Sequence, residues 1–334
     1  MKMNKILFLI TMMMGTLISI SSFSWLSMWM GLEINMLSFI PLMNKSNNSN
    51  SSEASLKYFI VQAISSMFIL FTVLFTLILW EYIELMKSPL EIIFNSALLT
   101  KMGAAPFHFW FPEIIEGLSW MNTLILLTWQ KIAPMILIMY NFSLSLFFCF
   151  IIITSMLISG MKSWNQVSIK KILAFSSINH IGWMLSMIMF NQSLWIFYFS
   201  FYVFVTISLI SIFMMFEIVT VQALFNIMNS NKTLKLFFFL NFLSLGGLPP
   251  FLGFFPKWMI LKILMSNEFY LLAFLMIFFT LIMLFIYLRL LCQSLTLKSK
   301  ETKTFNPKSL NFYTHFLSFL NLSGLIIFSF MFNF

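Results

Sequence analysis

The chain is a succession of long apolar runs separated by short polar segments. The runs are about twenty residues long, the length of an α-helix that crosses a lipid bilayer. Eleven such spans are predicted, at 5–21, 23–43, 55–80, 89–111, 121–140, 143–161, 170–190, 194–218, 233–264, 269–297 and 311–332. The longest connecting loops are Asn44–Glu53, Thr220–Asn231 and Lys298–Ser309. None could hold a separate domain, so residues 1–334 are predicted to form one membrane domain.

Composition supports an all-α membrane protein. Of the 334 residues, 60% are hydrophobic and 9% are charged, whereas a soluble domain carries about 25% charged residues. Helices are predicted because lipid offers no partners to backbone N–H and C=O groups, which a helix pairs internally. The two cysteines lie in apolar segments and form no metal-binding pattern. Scattered histidines without Cys or Asp partners likewise predict no metal site.

The charged residues divide between the two faces that the eleven spans define. Lysines dominate the face of the amino terminus, which the positive-inside rule assigns to the cytoplasm or matrix. This face holds Lys2, Lys5, Lys45, Lys57, Lys162, Lys170, Lys171, Lys232, Lys235, Lys298, Lys300, Lys303 and Lys308. The other face holds Lys87 with Glu81, Glu84, Glu91 and Glu268. The net charge of +9 is therefore explained by membrane topology, and nucleic acid is not predicted as a partner.

Two of the predicted spans contain helix-breaking sequences. Lys101–Pro112 interrupts the fourth span and Gly246–Lys257 interrupts the ninth. Proline removes a backbone donor and clashes with the preceding turn, so both helices must break. A matched pair of interrupted spans is typical of an inverted-repeat transporter core. We predict five-helix repeats over about 23–190 and 194–297, with 311–332 as a terminal helix; two kinked helices without symmetry are the alternative.

Four ionisable residues lie where a membrane span should be apolar: Glu33, Lys101, Lys131 and Lys257. A charged side chain at the bilayer centre costs at least about 2.5–3.5 kcal/mol on insertion scales, so such residues are seldom without function. Burial disfavours a charged amine and a nearby carboxylate favours it, so a lysine under both influences can load and release a proton near neutral pH. The alternative is that these residues form fixed structural ion pairs.

Two histidines extend this set. His108 follows Lys101 by seven residues and would share its helix face if the helix were continuous, which Pro106 puts in question. His180 lies in the middle of a span among small polar residues. Both can titrate near neutral pH, and both could equally be hydrogen-bonded packing residues.

Six motifs, in this order, resemble the subunit 2 family of NADH:ubiquinone oxidoreductase, respiratory complex I. They are Trp29–Asn35, Glu53–Phe59, Ala104–Trp110, Thr128–Pro134, Ser176–Trp183 and Leu245–Pro250. The resemblance runs from about residue 15 to residue 290, and the Phe-, Ile-, Asn- and Met-rich composition resembles an insect mitochondrial version. The family is antiporter-like, with fourteen spans in its full-length relatives; the animal form lacks three leading helices.

The resemblance implies a proton-pumping role. By motif, the implied proton-transfer residues are Glu33, Lys101, Lys131, Lys257, His108 and His180. Glu33 and Lys101 would form a pair whose field acts on the central carrier Lys131, which passes its proton towards Lys257. Nearby charges can change a group's pKa by 1–3 units, enough to reverse the direction of transfer. Sequence leaves two rivals, a structural spacer with fixed ion pairs and a free-standing cation/proton antiporter.

The same resemblance implies where the chain lies and what surrounds it. It places the chain in the mitochondrial inner membrane, with its amino terminus in the matrix and its carboxy terminus in the intermembrane space. The expected partners are neighbouring antiporter-like subunits, small and accessory subunits of complex I, and phospholipids including cardiolipin. NADH, FMN, iron–sulfur clusters and ubiquinone are expected to bind elsewhere in the complex, and no cofactor is expected on this chain.

Overall fold

The structure, a computed structural model, describes residues 3–44, 48–78, 83–142, 145–230 and 232–296. The predicted terminal helix at 311–332 lies outside these residues. The described chain is helical apart from short connections and one isolated bridge between Ser168 and Thr220. Its helices are α1 (Met3–Ser21), α2 (Trp25–Met43), α3 (Ser49–Ile78), α4 (Ile83–Met102), α5 (Trp110–Gly117), α6 (Trp120–Leu127), a 3₁₀ turn (Trp129–Lys131), α7 (Ile132–Tyr140), α8 (Ser145–Ser163), α9 (Ile169–Phe190), α10 (Gln192–Phe216), α11 (Val221–Ser230), α12 (Lys232–Gly246), α13 (Phe254–Ser266) and α14 (Tyr270–Thr296).

The predicted class, an all-α membrane protein, is confirmed for these residues. Eight segments of the described chain are long and apolar enough to cross a membrane, and each coincides with one predicted span. The two other predicted spans in the described chain, 89–111 and 233–264, are the interrupted ones. The chain divides into two compact units, residues 1–151 and 152–334. The inverted repeats stay a prediction.

The prediction of a loop at Thr220–Asn231 is wrong. Val221–Ser230 forms α11, in which Leu224, Ile227 and Met228 are buried. These residues are three and four positions apart, the spacing that places side chains on one helix face. The Thr220 hydroxyl accepts a hydrogen bond from the Ala223 backbone N–H, as an N-capping side chain does. An amphipathic helix of ten residues therefore connects α10 to α12.

In the first unit, small residues bring α1 and α2 into backbone contact. A Cβ atom added to Gly15 would lie 2.8 Å from the Asn35 backbone nitrogen. One added to Gly31 would lie 2.6 Å from the Ser19 backbone nitrogen. Small residues allow close helix approach in membranes, where dispersion contacts replace the hydrophobic effect as the driving force. This seam fixes the position of α2, the helix that carries Glu33.

Contacts within the first unit join segments that the predicted topology places on the same face. Lys57 Nζ lies 2.9 Å from Glu53 Oε1 and 2.9 Å from Glu113 Oε2, and all three residues are predicted to face the amino-terminal side. Asn122 donates to the Leu42 carbonyl at 2.8 Å on that side, and Tyr140 donates to the Ile20 carbonyl at 3.3 Å on the other.

In the second unit, too, contacts join segments that the predicted topology places on the same face. The Ser168–Thr220 bridge and the hydrogen bond from Arg289 Nη2 to the Trp164 carbonyl join segments of the predicted amino-terminal side. On the other predicted side, the ring of Phe190, the last residue of α9, lies 5.1 Å (between centroids) from the ring of Phe269, which directly precedes α14. These contacts agree with the predicted alternation of the spans within each unit.

Replacing Gly31 with alanine is expected to destabilise the α1–α2 seam. The added methyl group meets backbone atoms of Ser19, which cannot move as a side chain can, and overpacking typically costs about 1–3 kcal/mol. We expect the level of the chain in its membrane, measured by quantitative mass spectrometry, to fall. Gly160→Ala is the control, because its Cβ would meet the side chain of Ile282 at 3.3 Å. Equal levels of the two variants would contradict the assignment of Gly31 to a close backbone contact between α1 and α2.

Candidate functional site

The first helix break is present where the sequence predicts it. Helix α4 ends at Met102, Gly103 adopts a left-handed φ of 76°, and α5 begins at Trp110. The Gly103 N–H bonds the Thr100 carbonyl at 3.1 Å, and the Ala104 N–H bonds the Leu99 carbonyl at 3.0 Å. This pair of bonds is a Schellman motif, which terminates a helix on a left-handed residue.

The second break, in the other unit, has the same construction. Helix α12 ends at Gly246 and Gly247 has a φ of 79°. The N–H groups of Gly247 and Leu248 bond the carbonyls of Ser244 and Leu243 at 3.1 and 3.3 Å. Each left-handed glycine precedes its second half-helix by seven residues and a first-turn proline by nine. A proline is tolerated there because the first N–H groups of a helix have no intrahelical partner.

The last carbonyls of α4 at the first break accept hydrogen bonds from uncharged side chains. Gln62 Nε2 donates to the Lys101 carbonyl at 3.2 Å, and Trp110 Nε1 donates to the Thr100 carbonyl at 3.1 Å. Backbone groups inside a membrane must be satisfied by the protein or by water in a cavity. Here neutral side chains fill that need, and the Lys101 amine does not take part in it.

Lys101 lines a small polar cavity. Lys101 is 7% exposed, and the cavity has a volume of about 10 Å³, close to the least space that one water molecule needs. Its walls are Leu32, Asn35, Met36, Tyr58, Gln62, Lys101, Gln130 and Pro134. The sequence pointed to the lysine; the amides and the tyrosine hydroxyl around it were not anticipated.

Glu33 and Lys101 are not in direct contact. Their side chains are close enough for an electrostatic interaction, yet no salt bridge joins them among the residues that the structure describes. Glu33 Oε1 is buried and has no hydrogen-bond partner in the described chain. Attraction between charges that do not touch changes when either group moves or exchanges a proton. This geometry suits a pair that responds to its surroundings.

Lys131 lies at a third helix interruption, which was not predicted from the sequence. The predicted continuous span 121–140 is split into α6, the 3₁₀ turn Trp129–Lys131 and α7. Pro134 accounts for the split, because it cannot donate to the carbonyl four residues earlier and its ring clashes with that turn. Lys131 is 1% exposed, and its Nζ lies 5.9 Å from the ring centroid of Phe111. The Phe111 side chain also packs against Gly103. Phe111 therefore lies between the first helix break and Lys131.

The two histidines lie in different units. His108 is buried between α4 and α5, and its Nδ1 is 3.2 Å from the Pro106 carbonyl. The break at Gly103 separates it from the helix of Lys101, so the two do not share a helix face. His180 in α9 is 8% exposed, and its Nδ1 is 2.8 Å from the Tyr198 hydroxyl.

In the second unit the lysine itself satisfies the break. Lys257 Nζ donates to the Leu245 carbonyl at 3.2 Å and to the Gly246 carbonyl at 2.9 Å. A cation is favoured there because the carboxy-terminal end of a helix carries partial negative charge. The amine also lies 5.8 Å from the Trp183 ring centroid. His180 and Pro256, the neighbour of Lys257, line one cavity of about 10 Å³, so the structure brings His180 and Lys257 into one region.

Comparison with known proteins identifies the family. The transmembrane domain model of the NADH:quinone oxidoreductase/Mrp antiporter family matches residues 22–283. The chain is 47% identical to NADH-ubiquinone oxidoreductase chain 2 of Anopheles gambiae, over 98% of both chains. The chain belongs to the NADH-ubiquinone oxidoreductase chain 2 family. The family member from Aedes aegypti is 45% identical, over 98% of this chain and 97% of its own length.

The family fold is also seen in a solved structure. A chain of respiratory complex I from Thermus thermophilus with bound aureothin matches with a TM-score of 0.80 and 22% identity. The match covers 98% of this chain and 77% of that chain. The resemblance found in the sequence motifs is thus confirmed, including its insect relatives.

Gly247→Ala is expected to displace Lys257 in this family member. The left-handed φ costs a non-glycine residue about 1–2 kcal/mol, and the new Cβ would lie 2.8 Å from Lys257 Cδ and 2.9 Å from its Nζ. We expect electron cryomicroscopy of the purified assembly to show the amine removed from the Leu245 and Gly246 carbonyls. Gly246→Ala is the matched control, since its Cβ would meet the Leu284 side chain at 3.5 Å. An unmoved Lys257 in the Gly247 variant would contradict this account.

Proposed function

We propose that the chain is a proton-translocating membrane-arm subunit of NADH:ubiquinone oxidoreductase, coupling NADH oxidation and quinone reduction to proton transfer. The observation that carries the proposal is the set of buried lysines at three helix interruptions within a chain of this family. Lys131 is 1% exposed, and Lys101 and Lys257 are each 7% exposed. These amines are therefore not surface charges that keep the protein soluble. Beside broken helices they have polar surroundings with which a proton can be exchanged.

The proposed mechanism is electrostatic. Glu33 and Lys101 interact without a direct contact, so a displacement or a proton exchange at either one changes the field in the first unit. The carrier in that field is Lys131, whose ammonium form gives up a proton and becomes the neutral amine. Transfer continues towards Lys257 in the second unit, where the backbone carbonyls of Leu245 and Gly246 stabilise the protonated form. His108 and His180 are proposed as further members of the proton path.

The chain is a multi-pass mitochondrial membrane protein, and we propose its finer placement. The membrane is the inner one, with the amino terminus in the matrix and the carboxy terminus in the intermembrane space. The segregation of the lysines supports this orientation, and the same-face contacts within each unit support the alternation of the spans. The proposed partners are neighbouring antiporter-like, small and accessory subunits of complex I, with cardiolipin among the bound phospholipids. NADH, FMN, iron–sulfur clusters and ubiquinone are proposed to bind to other parts of the complex.

A second function is favoured by one observation. The hydrogen bonds from Lys257 to two freed carbonyls are what a fixed structural cap would make, as in a spacer subunit. The free-standing antiporter receives less support, because the family members at 45–47% identity are named as chains of the oxidoreductase.

Lys131→Met in the assembled complex separates the pump from the spacer. Methionine fills a similar volume without a titratable amine, so we expect an assembled complex with a lower ratio of protons pumped to electrons transferred, or with lost coupled turnover. The ratio is measured in reconstituted vesicles from proton uptake and NADH oxidation. The exposed Lys262 provides the control as Lys262→Met. An assembled Lys131 variant with the ratio and turnover of the wild type would refute the carrier role.

A further inference from the structure

A hydrogen bond between two amide side chains joins the segments that carry Glu33 and Lys131. Gln130 Nε2 donates to Asn35 Oδ1 at 2.9 Å, across 95 residues of sequence. Asn35 lies two residues after Glu33 in α2 and is 3% exposed. Gln130 immediately precedes Lys131 in the 3₁₀ turn. The bond therefore connects the helix of the acid to the turn of the central lysine, within the first unit.

The backbone around Gln130 lacks a bond that a regular helix would have. A regular helix would hold the Gln130 carbonyl through the N–H of residue 134, which is a proline and has none. The turn retains two short-range bonds, from the Lys131 N–H to the Thr128 carbonyl at 3.2 Å and from the Ile132 N–H to the Trp129 carbonyl, and 3₁₀ hydrogen bonds have poorer geometry than α-helical ones. The side-chain bond from Gln130 adds to these a connection between the turn and a well-packed neighbouring helix.

The helix at the other end of the bond is held firmly. Asn35 is part of the α1–α2 seam, since its backbone nitrogen is the atom nearest to a Cβ built on Gly15. Both amides also line the cavity at Lys101. The pair consequently lies where the surroundings of Glu33 and Lys101 meet those of Lys131.

We propose that Asn35 and Gln130 are positioning residues for proton transfer, which hold the Lys131 turn at a fixed place relative to Glu33 and Lys101. The proposal rests on the proposed function and adds to it a defined structural connection between the pair and the carrier. Neither amide exchanges a proton in this role. Their hydrogen bond sets the distance over which a change at Glu33 or Lys101 acts on Lys131.

The test uses the assembled complex with Gln130→Met, Asn35→Leu, both together, and the exchanged pair Asn35→Gln/Gln130→Asn. The first two variants break one bond from its two sides at nearly constant volume, so either one suffices if the other does not assemble. A displacement of about 1 Å can slow a positioned reaction by up to 10²-fold. We expect coupled turnover to fall roughly tenfold with a lower proton-to-electron ratio, the double variant to be no worse than the worse single one, and the exchanged pair to recover.

Asn122→Leu is the matched control. Asn122 donates to the Leu42 carbonyl at 2.8 Å and also ties α2 to the interrupted span, away from the cavity. A loss of coupling in this control equal to that in the Gln130 variant would overturn the proposal, because general loosening of α2 would then explain both. Unchanged turnover and ratio in assembled Gln130 and Asn35 variants would also overturn it. Lys131→Met, measured in parallel, identifies which idea has failed: if it alone loses pumping, the proposed function stands without the amide pair.

Discussion

The structure depends on one constraint, which is that the backbone carbonyls released at a helix break inside the membrane must find donors within the protein. At the two breaks, α4 and α12 end in the same glycine-centred motif, which satisfies two carbonyls with nearby N–H groups. The last carbonyls of the half-helix are left over. Donor side chains must therefore lie at mid-membrane, where apolar residues would otherwise be expected. The polar groups around the buried lysines follow from the breaks themselves.

The two units meet this constraint differently at corresponding carbonyls. The carbonyl two residues before the left-handed glycine belongs to Lys101 in the first unit and to Leu245 in the second. The first receives the neutral amide of Gln62, and the second receives the amine of Lys257. In the described chain the Lys101 amine therefore does not stabilise its own helix break. Lys257, in contrast, both stabilises a helix break and has a proposed place in the proton path.

Local signals in the sequence were sufficient for the spans and for two of the three interruptions. Clusters of glycine and proline determine where α4 and α12 end, and apolar length determines the other eight spans of the described chain. The interruption before Lys131 was missed because Pro134 stands alone in an apolar helix, where a kink and a full break look the same in sequence. Helix α11 was missed because ten residues with several amides resemble a loop. The Asn35–Gln130 bond joins residues 95 positions apart, and only the packing of α2 against the turn brings them together.

The seam between α1 and α2 limits the kind of signal that can arrive at Glu33. Glycines 15 and 31 bring the two backbones so close that a Cβ atom at either position would clash with the other helix. A rigid displacement of α2 therefore involves α1, much of whose apolar surface is exposed. Glu33 consequently lies on a helix that is held firmly by its neighbour. Rotation of its side chain costs less than movement of its helix, so in the proposed mechanism a signal reaches Glu33 as a rearrangement of nearby charge and not as a displacement of α2.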